Sequence, residues 1–91
     1  MPIVHIEDIA FTPATVHVRK GGHVRWEWKD AYTAHTVTSR GEKRFRGSGP
    51  RREGASYEVT FRRRGTYRYA CAIHPVMTGR VVVGTTTKDR S

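Results

Sequence analysis

Apolar and polar residues alternate along most of the chain, the pattern of half-buried β-strands. In residues 23–28, for example, Val24, Trp26 and Trp28 alternate with charged or polar residues. Glycine and proline interrupt the alternation at about ten-residue intervals, and no stretch has the 3.6-residue period of an amphipathic helix. We therefore predict an all-β protein, a sandwich or barrel. The predicted strands are residues 3–6, 11–13, 15–19, 23–28, 35–38, 56–61, 66–71 and 80–83.

A basic segment, residues 40–54, interrupts this pattern. Gly47, Gly49 and Pro50 disfavour regular structure there, so we predict an exposed loop. The polar residues 85–91 are expected to form a frayed C-terminal tail. We accordingly predict one domain, residues 1–84, followed by the tail 85–91. The basic residues of the segment are Arg40, Lys43, Arg44, Arg46, Arg51 and Arg52.

The chain is strongly basic, with 17 Lys and Arg against 8 Asp and Glu, and a formal net charge of +9. Such a field attracts acidic proteins, nucleic acids or anionic membrane surfaces, and composition does not choose among them. No apolar run approaches the ~20 residues that a spanning helix needs. The N-terminus lacks the zones of a secretory signal. We expect a processed or excised domain with an added Met, with a cytoplasmic protein as the alternative.

The one cysteine of the chain, Cys71, cannot form an intramolecular disulfide. It opens the stretch CAIHPVM (residues 71–77), a C-x2-H-x2-M cluster just before the last predicted strand. A further histidine, His35, begins a strand far upstream. A short loop between antiparallel strands lets three side chains converge on one ion, and a neighbouring loop can supply His35. We expect Pro75 to stiffen the loop and Gly79 to provide the turn into the last strand.

These four side chains have complementary preferences for copper. Two imidazoles and one thiolate, with a weak axial thioether, form the trigonal copper site that proteins use for electron transfer. Thiolate and thioether favour Cu(I), whereas imidazole accepts Cu(I) and Cu(II). We therefore predict one copper ion bound by His35, Cys71, His74 and Met77. Zinc also accepts Cys and two His but gains nothing from a thioether, which makes it the second choice.

The stretch GTYRYACAIHPVMTGRVVV (residues 65–83) resembles the ligand loop of cupredoxins, the type I (blue) copper proteins. Its C-x2-H-x2-M spacing is similar to that of amicyanins rather than to the longer plastocyanin loop. FTPATVHVRKGGHVRWEWKD (residues 11–30) and AHTVTS (residues 34–39) resemble other strands of the family. The resemblance implies a Greek-key β-sandwich of about eight strands with copper at one end. It also implies three equatorial ligands, which would be His35, Cys71 and His74, and one axial ligand, which would be Met77.

Two positions depart from the cupredoxin pattern. Family members usually have Asn after the first His and Ser or Thr after the Cys, and these side chains tie the ligand loops together. Here the residues are Thr36 and Ala72, so we expect a looser tether, with the Thr36 backbone N–H still reaching the Cys71 sulfur. Amicyanin-like proteins tend to have Pro at the position of Ile73. We expect the Ile73 N–H to give the thiolate a second hydrogen bond and to raise the reduction potential.

The remaining features add no catalytic chemistry. No paired carboxylates or Ser/His/Asp arrangement is visible, and four protein ligands leave copper no open position, so we do not expect an enzyme. His5, His17 and His23 lie on or beside predicted strands, and we expect them to be exposed and not to bind metal. Trp26 and Trp28 share one strand face, which we expect to contribute to the core.

The resemblance implies a single-electron carrier that docks transiently with a redox protein. We expect a monomer that meets an acidic partner surface, with the electron passing through the edge of His74 inside an apolar collar of Ala34, Pro75 and Val76. A periplasmic or extracellular location follows from the family. The alternatives are a copper-handling protein, a cupredoxin module of a larger redox enzyme, and, more remotely, a nucleic-acid-binding module, for which no recognised motif is visible.

Overall fold

The alternating pattern becomes nine β-strands in a computed structural model that describes residues 1–84. No helix is present among these residues, and so none that is long and apolar enough to cross a membrane. The predicted tail, residues 85–91, lies outside the described residues. The strands are β1 (Ile3–Glu7), β2 (Ala10–Thr12), β3 (Thr15–Val18), β4 (Gly22–Trp28), β5 (His35–Arg40), β6 (Ser48–Arg51), β7 (Ser56–Phe61), β8 (Gly65–Ala70) and β9 (Thr78–Val83).

The strands form two sheets, with the order β2-β1-β4-β7 in the first and β3-β9-β8-β5-β6 in the second. This confirms the predicted all-β sandwich, with nine strands rather than about eight. The β1–β4 and β3–β9 pairs are parallel, and the other pairs are antiparallel. Each parallel pair arises because the chain crosses to the other sheet and later returns beside an earlier strand of the first one. A tight hairpin cannot make such a connection.

Alternate residues of the strands build one core between the sheets. Trp26 and Trp28 on β4 are both buried, as their shared face predicted. Tyr69 on β8 packs edge-on against Trp26, with ring centroids 5.4 Å apart. Gly79 lies inside β9, and a Cβ atom there would come 2.5 Å from the Tyr69 ring. The prediction that Gly79 provides a turn was therefore wrong, because this glycine makes room for the Tyr69 ring.

The prediction that residues 40–54 form an exposed loop was wrong in part. Ser48–Arg51 form β6, which pairs with β5 at the edge of the second sheet. Phe45 packs on the core and stacks on Trp26, with an interplanar angle of 7°. Gly47 lies so close to a β5 carbonyl that no side chain fits there. Glycine and proline are tolerated in an edge strand, and Phe45 anchors the segment while most of its basic side chains remain exposed.

Candidate metal centre

His35 is held at the start of β5 by contacts with β6 and with β4 of the other sheet. Its side chain is fully buried. The indole N–H of Trp28 donates a hydrogen bond to the His35 backbone carbonyl at 2.9 Å. The β5–β6 register shifts between His35 and Val37. Irregularities of this kind turn a side chain out of the regular strand direction next to functional sites.

The loop of residues 71–77 joins β8 to β9 and is closed by its own backbone. The Cys71 N–H donates to the Met77 carbonyl at 3.1 Å, and the Met77 N–H donates to the His74 carbonyl at 2.9 Å. Cys71 and Met77 are buried, whereas His74 is half-buried. The hairpin therefore holds three of the predicted ligands in one short turn at the end of the second sheet.

Three donor atoms converge between this loop and β5. The Cys71 Sγ lies 3.8 Å from Nδ1 of His35 and 3.9 Å from Nδ1 of His74. All three donor atoms lie within 4.8 Å of one another. Ligand atoms that sit about 2.0–2.3 Å from a shared ion are separated by roughly 3.5–4 Å. The spacing and the donor set, a thiol and two imidazoles, therefore fit a single metal ion.

The surroundings of Cys71 favour the thiolate, which is the form that binds metal. Burial raises the pKa of the Cys71 thiol, but the backbone N–H groups of Thr36 and His74 and the adjacent imidazole rings of His74 and His35 outweigh it. Together they lower this pKa to about 6. The sulfur is thus deprotonated at neutral pH even before a metal binds.

The sequence profile of copper binding proteins of the plastocyanin/azurin family matches residues 3–84. The chain belongs to this family. It is therefore a copper-binding protein by family, and His35, Cys71, His74 and Met77 form its candidate copper site.

Several relatives are similar to most of the chain. Amicyanin from Paracoccus denitrificans is 36% identical over 84 residues, which are 89% of this chain and 63% of the amicyanin. The chain thus spans less than two thirds of the length of that relative. A purple cupredoxin from Nitrosopumilus maritimus has the same fold, with a TM-score of 0.82 at 24% identity over 91% of this chain and 99% of that one. A copper-containing nitrite reductase from Thermus scotoductus matches with a TM-score of 0.81 at 25% identity, over 91% of this chain and 22% of the enzyme.

A hydrogen bond ties the ligand loops of this family member together, although both residues of the usual pair have changed. The Thr36 hydroxyl accepts a hydrogen bond from the Ala72 backbone N–H at 2.8 Å and lies 2.7 Å from the Thr38 hydroxyl. The Thr36 backbone N–H reaches the Cys71 sulfur at 3.4 Å, as predicted. Because the donor is a backbone amide, the link does not require a hydroxyl side chain after the cysteine.

The predicted hydrogen bond from the Ile73 N–H to the sulfur does not occur among residues 1–84. The second backbone group that lowers the pKa of Cys71 belongs to His74 instead. The backbone bends through residues 72–74. The Ile73 side chain is exposed instead.

Asp30 is a site residue that the sequence did not reveal. Its Oδ2 lies 2.9 Å from Nε2 of His35. A carboxylate only accepts, so Nε2 carries the proton and Nδ1, which faces the Cys71 sulfur, has the free lone pair. Carboxylate–histidine pairs orient metal ligands and raise their basicity. The only sequence signal was an acidic residue five positions before a ligand.

One side of the site reaches the surface. His35 and Cys71 are fully buried, so His74 alone among the three clustered donors has a solvent-exposed part. Its neighbours in the loop, Pro75 and Val76, are exposed, and Val76 has 85% of its surface in solvent. Two of the three residues of the predicted apolar collar are thus exposed next to the half-buried histidine, and the third, Ala34, is half-buried.

Proposed function

We propose that this protein is a single-electron carrier with one type I copper ion bound equatorially by His35, Cys71 and His74 and axially by Met77. The convergence of one thiolate and two imidazole nitrogens in a member of a copper-binding family is the observation that supports this proposal. Copper bound by such a set supplies a one-electron couple.

The protein's own residues prepare the site for that role. Burial of His35 and Cys71 excludes water. The hydrogen bond that His35 donates to Asp30 holds the imidazole in place, and the one that the Thr36 N–H donates to Cys71 holds the sulfur. Little then has to move when the charge of the site changes. Four protein ligands would leave no open position for a substrate, which favours a carrier over an enzyme. The same burial of Cys71 disfavours a copper-handling protein, which needs an accessible site for metal exchange.

The surface fits brief encounters with a redox protein. The exposed edge of His74, surrounded by Pro75 and Val76, is the electron route in this proposal. Interfaces of redox encounters are small, below ~1,200 Å². The net charge of +9 would speed association with an acidic partner surface, and salt would slow it. We propose that the protein works as a monomer, in the periplasm or outside the cell.

A second candidate is a copper module of a larger redox enzyme. Its support is the match to 22% of a copper-containing nitrite reductase. The chain alone would then form the copper site but would lack the partner module that delivers or receives the electron.

A visible absorption spectrum after addition of one equivalent of Cu(II) tests the proposal, with Cys71→Ser as the control. We expect an intense band in the red region that disappears on reduction and is absent from Cys71→Ser, because it arises from thiolate-to-copper charge transfer. A weak band that does not depend on Cys71 would contradict type I copper and would favour zinc as the metal.

A further inference from the structure

A row of three arginines crosses the outer face of the second sheet. Arg40 on β5 is paired in register with Arg68 on β8, and Arg68 is paired with Arg80 on β9. All three side chains are exposed, while their neighbours Tyr69 and Val81 point into the core. Because adjacent strands are about 4.8 Å apart, the row concentrates three positive charges along roughly 10 Å of surface.

This arrangement is unfavourable for the isolated fold. Like charges directly opposite each other on adjacent strands destabilise a sheet. Among residues 1–84, none of the three arginines forms an ion pair, since the acidic partners there are Glu27 and Asp30. Arg80 is positioned only by a hydrogen bond from its Nε to the Thr15 hydroxyl at 3.1 Å. Stability of the fold therefore does not explain the row.

The row lines an open cleft of about 510 Å³ that extends to the loop of residues 71–77. Ala70 and Pro75 are also part of its wall. Ala70 directly precedes Cys71, and Pro75 directly follows His74. A molecule bound in this cleft would consequently contact the ligand loop.

We propose that the cleft of Arg40, Arg68 and Arg80 is a docking site for the acidic side chains of a protein partner. The guanidinium group binds carboxylates through two parallel hydrogen bonds, which makes arginine suited to such a surface. A single-stranded nucleic acid would need exposed aromatic rings for its bases. The one aromatic residue in the wall, Tyr69, is only 1% exposed. That the partner exchanges electrons rests on the proposed function, whereas recognition of carboxylates does not.

Binding of a fluorescent hexaglutamate peptide to the full chain tests this site without copper. In fluorescence anisotropy titrations at low salt, Arg68→Gln should weaken binding about tenfold, because the central charge of the row is lost. Arg40→Gln is a second variant at the end of the row. Arg62→Gln is the matched control, since it removes the same charge from an exposed site beyond the opposite end of β8. It should weaken binding by less than about twofold.

Two results would overturn the proposal. Equal losses in Arg68→Gln and Arg62→Gln would mean that the peptide responds only to net charge. Tighter binding of a hexathymidylate than of the peptide, with the same dependence on Arg68, would assign the cleft to nucleic acid. Because the peptide titration needs no copper, it is independent of the Cu(II) spectrum. A normal Cu(II) band together with unaltered peptide binding in Arg68→Gln rejects the docking site alone. A missing Cu(II) band together with weakened peptide binding in Arg68→Gln rejects the electron carrier alone.

Discussion

Asp30→Asn changes the charge of the group that holds His35 while keeping its size. The carboxylate accepts the hydrogen bond from Nε2 of His35 at 2.9 Å. An amide oxygen can accept the same bond without the negative charge. The Asp30 side chain is 17% exposed, so solvent screens it only in part. The variant therefore isolates the electrostatic effect of Asp30 on the candidate copper ligand.

The expected effect is a higher reduction potential. Hydrogen bonds to charged groups contribute about 1.5–3 kcal/mol and neutral ones about 0.5–1.5, so the charge accounts for about 1–1.5 kcal/mol. The carboxylate stabilises the oxidised site more than the reduced one because the oxidised site carries one more positive charge. For a one-electron couple, 1.4 kcal/mol corresponds to about 59 mV. Asp30→Asn should thus raise the potential by roughly 40–60 mV.

Voltammetry of the copper-loaded protein at neutral pH measures this shift. Glu42→Gln is the matched control, because it removes one exposed carboxylate beyond the opposite end of β5 from His35, and it should move the potential by less than about 10 mV. A second readout needs no copper: the Nε2–H proton resonance of His35 should shift in Asp30→Asn. An unchanged or lower potential in Asp30→Asn, or an equal rise in Glu42→Gln, would refute the reasoning.

Three further predictions concern the loops and the core. Thr36→Val should lower the free energy of unfolding in urea by about 1–2 kcal/mol, because the Ala72 N–H loses its acceptor, whereas Thr36→Ser should retain it; equal losses would contradict the tether. Gly79→Ala should cost about 1–3 kcal/mol through a clash with Tyr69, and an unchanged Tm would mean that the ring moves freely. In the metal-free protein, the thiolate absorbance of Cys71 should appear with a midpoint near pH 6. Because folding lowers this pKa, the free energy of unfolding should rise from about pH 6 toward 9, and Cys71→Ser should lose that rise. A thiolate absorbance midpoint near pH 9 would contradict the lowered pKa.

The sequence by itself determined eight of the nine strands and the ligand loop. Period-two alternation, as in residues 23–28, depends only on which face of a strand is buried, so local pattern is sufficient. The C-x2-H-x2-M spacing likewise places Cys71, His74 and Met77 in one hairpin, since their separation is short. Even the distant His35 could be named, because the donor set requires a second imidazole and AHTVTS resembles the first-histidine strand of cupredoxins.

Only the tertiary structure decided the features that depend on contacts between distant segments or on backbone direction. The basic segment contains a strand because Phe45 packs on the aromatic core and anchors the segment there. The Gly- and Pro-rich residues around Phe45 do not indicate this contact. The tether through Thr36 relies on an N–H that every residue except proline carries, so no side-chain pattern marks it. Asp30 reaches His35 because the connection between β4 and β5 turns back on the start of β5, and three arginines align because β5, β8 and β9 pair in one register. Such register is set by the packing of the whole sandwich and not by any short stretch of sequence.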